Sequence, residues 1–538
     1  MSSRRNKAKS NLDRISRSTS PEDEPFLDSD MSLRQIGTGP IASMEGPFDE
    51  IEKPRTSRGL TTKDKHALAL LIVLYCLQGV PLGLTMGSLP YLLQPKLTYA
   101  SIGVFSLASY PYSLKLLWSP IVDAIYNTKL GRRKSWILPV QATVGVSLLY
   151  IANNVDHWVD TASTNLYTLT TFFFLLVLLC ATQDIAVDGW ALTLLSEENL
   201  SYASTAQTVG LNTGYFLSFT VFLAFQSPEF ANTYFRSAAQ QSDVGFVTLS
   251  GYMAACGWAT LAVTVFLLFI KKEAKETSVT DSVMAVYDSI WAVSKLPQVR
   301  VFMLIHLIAK IGFVTNDSVT NLKLLEKGLK KEDLSLAVLI DFPLEILFGY
   351  YAAKWSTGPT PLRPWLLSFQ GRLVAAGLGM LLVYFMPSEV GWFYFVLIVL
   401  EHIISSFMST VQFVSASAFH TQIADPLIGG TYMTLLNTIS NLGGTWPKYF
   451  VLEGVDKFTI KQCLGITEKT SSTAFNIYDS LDMERCKSLG GTVNITRDGY
   501  YIMNFVCIIV GSISFWTFIQ PRVLVLQAKS PRSWRVTR

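Results

Sequence analysis

Charge is what this 538-residue sequence is short of: Asp, Glu, Lys and Arg make up 16% of it, against about 25% in an ordinary globular protein. The formal net charge of +4 is too small to point to nucleic acid as a partner. Six cysteines are present without a CxxC pair, so neither a zinc ribbon nor a dithiol redox centre is expected, and no metal or cofactor site is indicated. No GxxxxGK[ST] phosphate loop occurs, which removes direct ATP drive. A secretory signal peptide is also missing: the first apolar run begins near His66 and is too long for one.

What the chain has in place of charge is apolar length. Half of its residues are hydrophobic, mean hydropathy is +0.33, and the apolar residues come in long blocks. A helix needs about 20 mostly apolar residues to cross a bilayer. In lipid only helices and closed barrels satisfy their own backbone, and blocks this continuous argue for helices. The expected fold is an all-α polytopic membrane protein with twelve transmembrane helices. The first six spans lie near 67–93, 101–124, 136–152, 167–195, 202–226 and 248–270. The second six lie near 301–321, 334–353, 364–386, 391–419, 428–452 and 499–520.

These spans divide the chain into a Ser-, Arg-, Asp- and Pro-rich N-terminal tail at 1–62, expected to be disordered, and a six-helix lobe at 63–270. A charged linker at 271–300 follows, in which Val283, Val286, Tyr287, Ile290 and Trp291 recur at helical spacing, as in a helix lying on a membrane surface. A second six-helix lobe occupies 301–520 and includes a long loop at 453–498, and a tail fills 521–538. Six spans either side of a linker is the organisation of many two-lobed transporters.

Lys and Arg excess marks the cytosolic side. It falls at Lys129, Arg132, Arg133 and Lys134, at Lys271, Lys272 and Lys275, and in the C-terminal tail, so both termini are expected in the cytosol. One loop disobeys, with Lys323, Lys327, Lys330 and Lys331 on the far side. The loop 453–498 supports the orientation independently: it carries the glycosylation sequon at Asn494 and a candidate disulfide pair, Cys463 and Cys486, both suited to a lumenal or extracellular space. Sequons at Asn199 and Asn316 fall in a cytosolic loop and inside a span, and are read as chance.

Ionisable groups inside a bilayer are costly and face a partner, a bundle interior or a wet cavity. Gln78 lies in the first span, Lys115 in the second, and Gln183, Asp184 and Asp188 in the fourth. The seventh has His306, Lys310, Asn316 and Asp317; the eighth has Asp341 and Glu345; the tenth has Glu401 and His402. Asp184 and Asp188 share one helical face, as do His306, Lys310 and Asp317. Two readings stay open for Lys115 and the two aspartates: they neutralise one another and fix helix packing, or they contact a ligand, with Asp184 the better contact candidate. Asp341 and Glu345 suit packing or gating. In the eleventh span Thr434, Asn437 and Asn441 follow helical spacing beside small residues, as in close helix packing or a polar strip.

The stretch "SPIVDAIYNTKLGRRKSW" places Asp123 before a basic cluster and resembles the loop motif of the major facilitator superfamily, where such charges make a breakable lobe contact. It departs from that motif at Ser119 and in a longer Asp123–Gly131 stretch. Gating or lobe contact is the role this implies for Asp123, Arg132, Arg133 and Asp188, with topology alone as the plainer reading of the arginines. The same resemblance implies that the first, fourth, seventh and tenth spans line a central cavity.

Taken together, "LQGVPLGL", "SLKLLWSPIVDAIY", "GRRKSW", "ATQDIAVDGWALTLLS", "AKIGF" and "DPLIGGTYMTLLNTISNLGG" resemble the acetyl-coenzyme A transporters of the endoplasmic reticulum membrane. Shorter pieces also resemble bacterial muropeptide permeases. The resemblance implies a multi-pass endoplasmic reticulum protein that imports cytosolic acetyl-CoA into the lumen by alternating access, with CoA as a candidate counter-substrate. It is not implied to be an enzyme: a membrane-bound acetyltransferase would need a catalytic His or Cys at a membrane face. Another bulky anion, such as a muropeptide-like conjugate, is the alternative substrate. CoA carries a diphosphate and a 3′-phosphate, so cationic and donor groups suit it: Lys115, His306 and Lys310, with Gln78, Gln183, Asn316 and Asn437, and Asp184 on the same cavity helices. Tyr110 and Trp190 are candidates to stack on adenine. Uniport, CoA exchange, proton coupling and homo-oligomerisation all stay open at this stage.

Overall fold

Long apolar runs become helices because only local hydrogen bonding satisfies their backbone, and the interest lies in where the helices break. The computed structural model describes residues 61–536 apart from 197–198, 200–201, 238–239, 270–272, 274–281, 357–359, 425–428, 465–474, 478–481, 483–484 and 487. The expected N-terminal tail, but for its last two residues, and Lys271, Lys272 and Lys275 lie outside the described residues.

In chain order the helical segments are α1 Thr62–Leu93, α2 at 99–124, α3 Lys134–Ala152, α4 Ala162–Leu194, α5 Thr205–Gln226 and α6 Leu249–Phe269. Then come α7 at 297–326, α8 Lys331–Trp355, α9 Arg363–Tyr384, α10 Trp392–Ile423, α11 Gly429–Phe458 and α12 Gly499–Gln527. Among the described residues, eight of these are long and apolar enough to cross a membrane, or nine if α7 is counted with the bent helix before it. The expected twelve are therefore present as helical segments, but four fall short of a continuous apolar rod.

The reasons are local. Segment α2 is broken into Tyr99–Ser106, Tyr110–Leu114 and Ser119–Ala124, the last two each starting at a proline (Pro111, Pro120) that cannot continue the preceding ladder. Segment α7 tightens to a 3₁₀ turn at Lys310–Phe313 and widens at Asn316–Thr320, where its polar residues cluster. Segment α8 is continuous, with Asp341 and Glu345 interrupting its apolar run, and α11 is diluted by Gly, Asn and Thr. The linker helix expected from its periodicity spans Val283–Ser294 and meets Pro297–Phe313 at 85°. Its Trp291 is exposed, and Tyr287 Oη donates to the Leu117 carbonyl at 2.6 Å.

In the first half α1 packs on α4 and α5, and α3 on α4 and α6; in the second, α10 packs on α8 and α9, and α11 on α7 and α12. The halves meet where α2 packs on α11 and α5 on α8. Helices α1 and α5 approach closely: a Cβ on Gly79 would overlap the Leu211 carbonyl oxygen, and one on Gly83 would lie 2.7 Å from the Tyr215 carbonyl. Glycines four apart put one side-chain-free stripe on α1, which lets backbones touch.

After α11 the chain forms a small antiparallel sheet of β1 Ile460–Leu464, β2 Phe475–Ile477 and β3 Thr492–Arg497, in the order β2-β1-β3. Cys463 and Cys486 are bonded beneath it, and Asn494 on β3 is exposed. The C-terminal segment, expected as a tail, instead continues α12 and then folds back. Trp534 is fully buried against Phe302 and Phe419, and Tyr432 Oη donates to its carbonyl at 3.1 Å.

Candidate functional site

The intramembrane charges of the first half pair with one another. Lys115, presented by the 3₁₀ turn in α2, is ion-paired with Asp184 and lies 3.7 Å from Asp188, both on α4. Asp188 also accepts from Tyr75 Oη on α1 at 2.7 Å and from Gln207 Nε2 on α5 at 2.8 Å. Four helices are thus tied through two carboxylates. These contacts are ones that fix helix packing, and Asp184, fully buried, faces Lys115. Trp190 lies in the core between α1, α3 and α4, one percent exposed. Gln78 and Gln183 are buried, and Gln78 has neither amide atom partnered among the described residues.

The charged loop after α2 carries a second cluster. Arg133 pairs with Asp123 at 2.5 Å, and Arg132 Nε donates to the Asp123 carbonyl at 2.9 Å. The Arg133 guanidinium lies where a Cβ on Gly189 of α4 would stand. Glu273 accepts from the backbone N–H groups of Arg133 and Lys134 at 2.9 Å each, capping α3 with a negative charge at its N-terminus. Asp188 takes no part in this cluster.

The second half holds a cavity among its intramembrane charges. A space of about 320 Å³ is lined by His306, Lys310 and Asp317 of α7, Glu345 of α8, Trp365 and Arg372 of α9, Gln412 of α10, and Ser440 and Gly444 of α11. Arg372 Nη2 donates to Asp317 at 2.5 Å and Nη1 to Gln412 Oε1 at 2.8 Å, and its guanidinium sits 3.7 Å from the Phe313 ring centre. Lys310 has no ion pair among the described residues and lies across Gly444, where a Cβ would stand 3.2 Å from its Nζ. The neighbouring Gly443 brings α11 onto the α7 backbone, since any Cβ there would overlap the His306 carbonyl. Trp446 Nε1 locks the same contact by donating to the Leu307 carbonyl at 2.9 Å.

His306 and His420 meet Nε2 to Nε2 at 3.0 Å, and His420 Nδ1 lies 3.0 Å from Asn437 Oδ1. With Asn437 presenting its oxygen, His420 Nδ1 donates to it and His306 Nε2 donates to His420. Asn437 is therefore engaged with a histidine. Asn316 accepts from Thr320 at 2.9 Å and lines an adjoining space of about 300 Å³ with Asp341, Glu345, Glu401 and His402. Tyr110 donates weakly to the Trp446 carbonyl at 3.4 Å, at the junction of the halves.

At the sheet end, three of the four lysines that disobeyed the charge rule are accounted for. Lys323, 2% exposed, bridges Glu326 at 3.0 Å and Asp498 at 2.6 Å; Lys330 reaches Glu229 at 3.4 Å; Lys327 Nζ donates to the Val383 carbonyl at 2.6 Å. A lysine neutralised by a local carboxylate is little guide to topology. Tyr99 of α2 donates to Glu326 at 2.5 Å, closing this end between the halves.

Of the residues singled out from sequence, the cavities bring together His306, Lys310, Asn316, Asp317, Asp341, Glu345, Glu401 and His402. Lys115, Asp184 and Trp190 belong to the first half. Arg372, Gln412 and His420 were missed. The signal for Arg372 was there, a lone arginine in the middle of "LLSFQGRLVAAGLG", but the emphasis fell on the first, fourth, seventh and tenth spans.

Known proteins agree with this architecture. Residues 67–280, 271–361 and 357–536 match the family described as acetyl-coenzyme A transporter 1. An uncharacterised membrane protein of Saccharomyces cerevisiae is 42% identical, over 90% of this chain and 100% of its own. An uncharacterised protein of Schizosaccharomyces pombe is 43% identical, over 94% and 96%. The anhydromuropeptide permease of Escherichia coli K12 is 29% identical over 28% of this chain and 30% of its own. Among solved structures, a bacterial homologue of the human lysosomal transporter Spinster superposes with a TM-score of 0.56 at 12% identity, covering 88% of this chain and all of that one. The nucleoside transporter NupG gives 0.53 at 14%, covering 85% and 100%. These likenesses carry the major facilitator fold and a transporter rather than an enzyme. The chain belongs to the acetyl-coenzyme A transporter 1 family.

Proposed function

We propose that this transporter carries acetyl-CoA from the cytosol into the lumen of the endoplasmic reticulum, by rocking its two halves about the cavity of α7, α9, α10 and α11. The observation that carries the reading is the pairing of Lys310 and Arg372 in one cavity. A free ammonium and a guanidinium fork suit the diphosphate and 3′-phosphate of CoA. The family match supplies the name of the substrate. The sheet end is lumenal in this reading: a disulfide and an exposed sequon at Asn494 both suit an oxidising, glycosylating compartment.

The test is uptake of labelled acetyl-CoA into proteoliposomes, wild type beside Lys310→Ala and Arg372→Ala. Saturable uptake, blocked by unlabelled CoA and lost in both variants, is the expected result; vesicles preloaded with CoA reveal exchange. Folded, inserted protein that moves no acetyl-CoA refutes the substrate. A muropeptide that competes better than CoA would favour the alternative anion.

A further inference from the structure

Asp317 stands between two spaces of opposite character. One is the cavity holding Lys310 and Arg372; the other is walled by Asp341, Glu345, Glu401 and His402. Asp317, Glu345, Ser409 and Thr410 line both, so the spaces meet there.

Neither space is satisfied by the protein's own groups. Arg372 is 6% and Gln412 5% exposed, yet Arg372 Nε and Gln412 Nε2 have no partner among the described residues. On the acidic side Asp341, also 6% exposed, leaves Oδ1 without a partner while its Oδ2 sits 3.6 Å from His402 Nε2. Glu401 likewise leaves Oε1 unpartnered. Buried polar atoms are ordinarily paired, so unpaired ones on residues that line these two spaces mark a region whose polar groups the protein leaves uncompensated.

The Asp317–Arg372 pair shows what that is. Arg372 spends one arm of its fork on a carboxylate of its own protein. A phosphate entering the cavity competes for that fork, which fits either anion. Once displaced, Asp317 faces Glu345 and Asp341 from α8 and Glu401 and His402 from α10. The cations still within electrostatic reach are Lys310 on its own segment and Lys448 on α11, the same groups the entering anion draws upon. Asp317 is 39% exposed to these spaces, so it is its acidic neighbours that matter: a carboxylate that loses its counter-charge beside other carboxylates takes a proton more readily.

We propose that Asp317 couples anion and proton movement: a phosphate-bearing substrate displaces it from Arg372, and the acidic space it then faces takes up a proton. The substrate thereby enters with part of its charge compensated. This rests on the anion-transport reading above, and it adds the driving ion and the residue that links the two.

The experiment is calorimetric titration of the purified full-length protein in buffers of differing ionisation enthalpy. The probes are acetyl-CoA and, separately, inorganic diphosphate. The expected result is net uptake of about one proton per ligand, with Kd weakening up to tenfold per unit rise in pH. Asp317→Asn keeps size and shape, and it is expected to bind at least as tightly, with proton uptake abolished and the pH dependence flattened. Arg372→Lys keeps the charge without the fork and is expected to bind more weakly. Wild-type binding with no proton uptake overturns the inference, and so does Asp317→Asn with undiminished uptake. Diphosphate binding with proton uptake, where acetyl-CoA does not bind, refutes the substrate and upholds the coupling. Acetyl-CoA carried across vesicles without proton uptake does the reverse. Failure of both anions to bind overturns the coupling.

Discussion

Replacing Lys115 by methionine removes the counter-charge of a carboxylate that has nowhere else to turn. The Asp184 side chain is fully buried, its Oδ1 has no partner among the described residues, and its Oδ2 faces Lys115. Breaking a buried pair from one side costs roughly 3–5 kcal/mol, whereas replacing both partners by apolar residues of similar volume is often neutral or stabilising. Lys115→Met is therefore expected to lose about 3–5 kcal/mol, and Lys115→Met with Asp184→Leu to recover most of it. Asp188 survives in the double variant because Tyr75 and Gln207 still donate to it. Asp184→Asn should be milder, since Lys115 keeps Asp188 at 3.7 Å. The assay is the fraction of monodisperse protein after graded heating in detergent, read beside uptake. The expected stability order is wild type close to the double variant, then Asp184→Asn, then Lys115→Met. A Lys115→Met protein as stable as wild type but dead in transport refutes the reasoning and returns Lys115 to the substrate. So does a double variant as damaged as the single.

Other outcomes follow from close approaches and from the sheet end. Gly443→Ala is expected to cut folded yield sharply, because its methyl overlaps the His306 carbonyl, whereas Gly444→Ala folds and weakens acetyl-CoA uptake by shifting Lys310, read as a rise in KM. Cys463→Ser is expected to loosen the small sheet alone: opening a loop of 23 residues' separation forfeits about 3 kcal/mol of local order. Protease clipping confined to 460–497, with uptake retained, is the check. Tyr99→Phe removes the donor to Glu326 that bridges the halves, so a cysteine placed at the buried Val455 should react faster with a membrane-impermeant thiol reagent. Unchanged labelling would mean that the apolar cluster around Tyr99 closes this end without the hydrogen bond.

How far the sequence could be read depended on whether a feature was local. Apolar length is local, so α1, α4 and α10 were legible within a few residues. The broken course of α2 and α7 was not, although Pro111, Pro120 and the polar run at 316–320 mark where the breaks fall. The lysines at 323–331 broke the charge rule, and two of the carboxylates that meet them, Asp498 and Glu229, lie far away in the chain where the sequence could not pair them. Trp534 read as tail because nothing near it in sequence is apolar enough to announce a core; its neighbours are Phe302 and Phe419. In the site, helical spacing placed His306, Lys310 and Asp317 on one face. It could not pair Asp317 with Arg372, since that contact joins two helices. An arginine alone in mid-span was the one readable warning, as no single helix can compensate such a charge.

The pattern of compensation separates the two halves more sharply than the number of polar groups does. In the first half Lys115, Asp184, Asp188, Asp123 and Arg133 each end on a partner in that half. A charge so compensated resists rearrangement, because any motion within the half would expose it before finding a replacement. That half is built to move as one piece. In the second half Lys310, Glu345, Glu401 and Lys448 have no ion pair among the described residues, and Arg372 is held by a carboxylate that also lines the neighbouring space. Charges left open in this way gain most from a ligand of opposite sign, and an exchangeable pair lets the gain depend on what else is bound. The site therefore belongs where compensation is incomplete. A substitution that pairs Lys310 permanently, such as Ser440→Asp facing it across the cavity, should raise stability while abolishing acetyl-CoA uptake. Uptake at the wild-type rate in that variant would show that the open charge of Lys310 is not what the substrate meets.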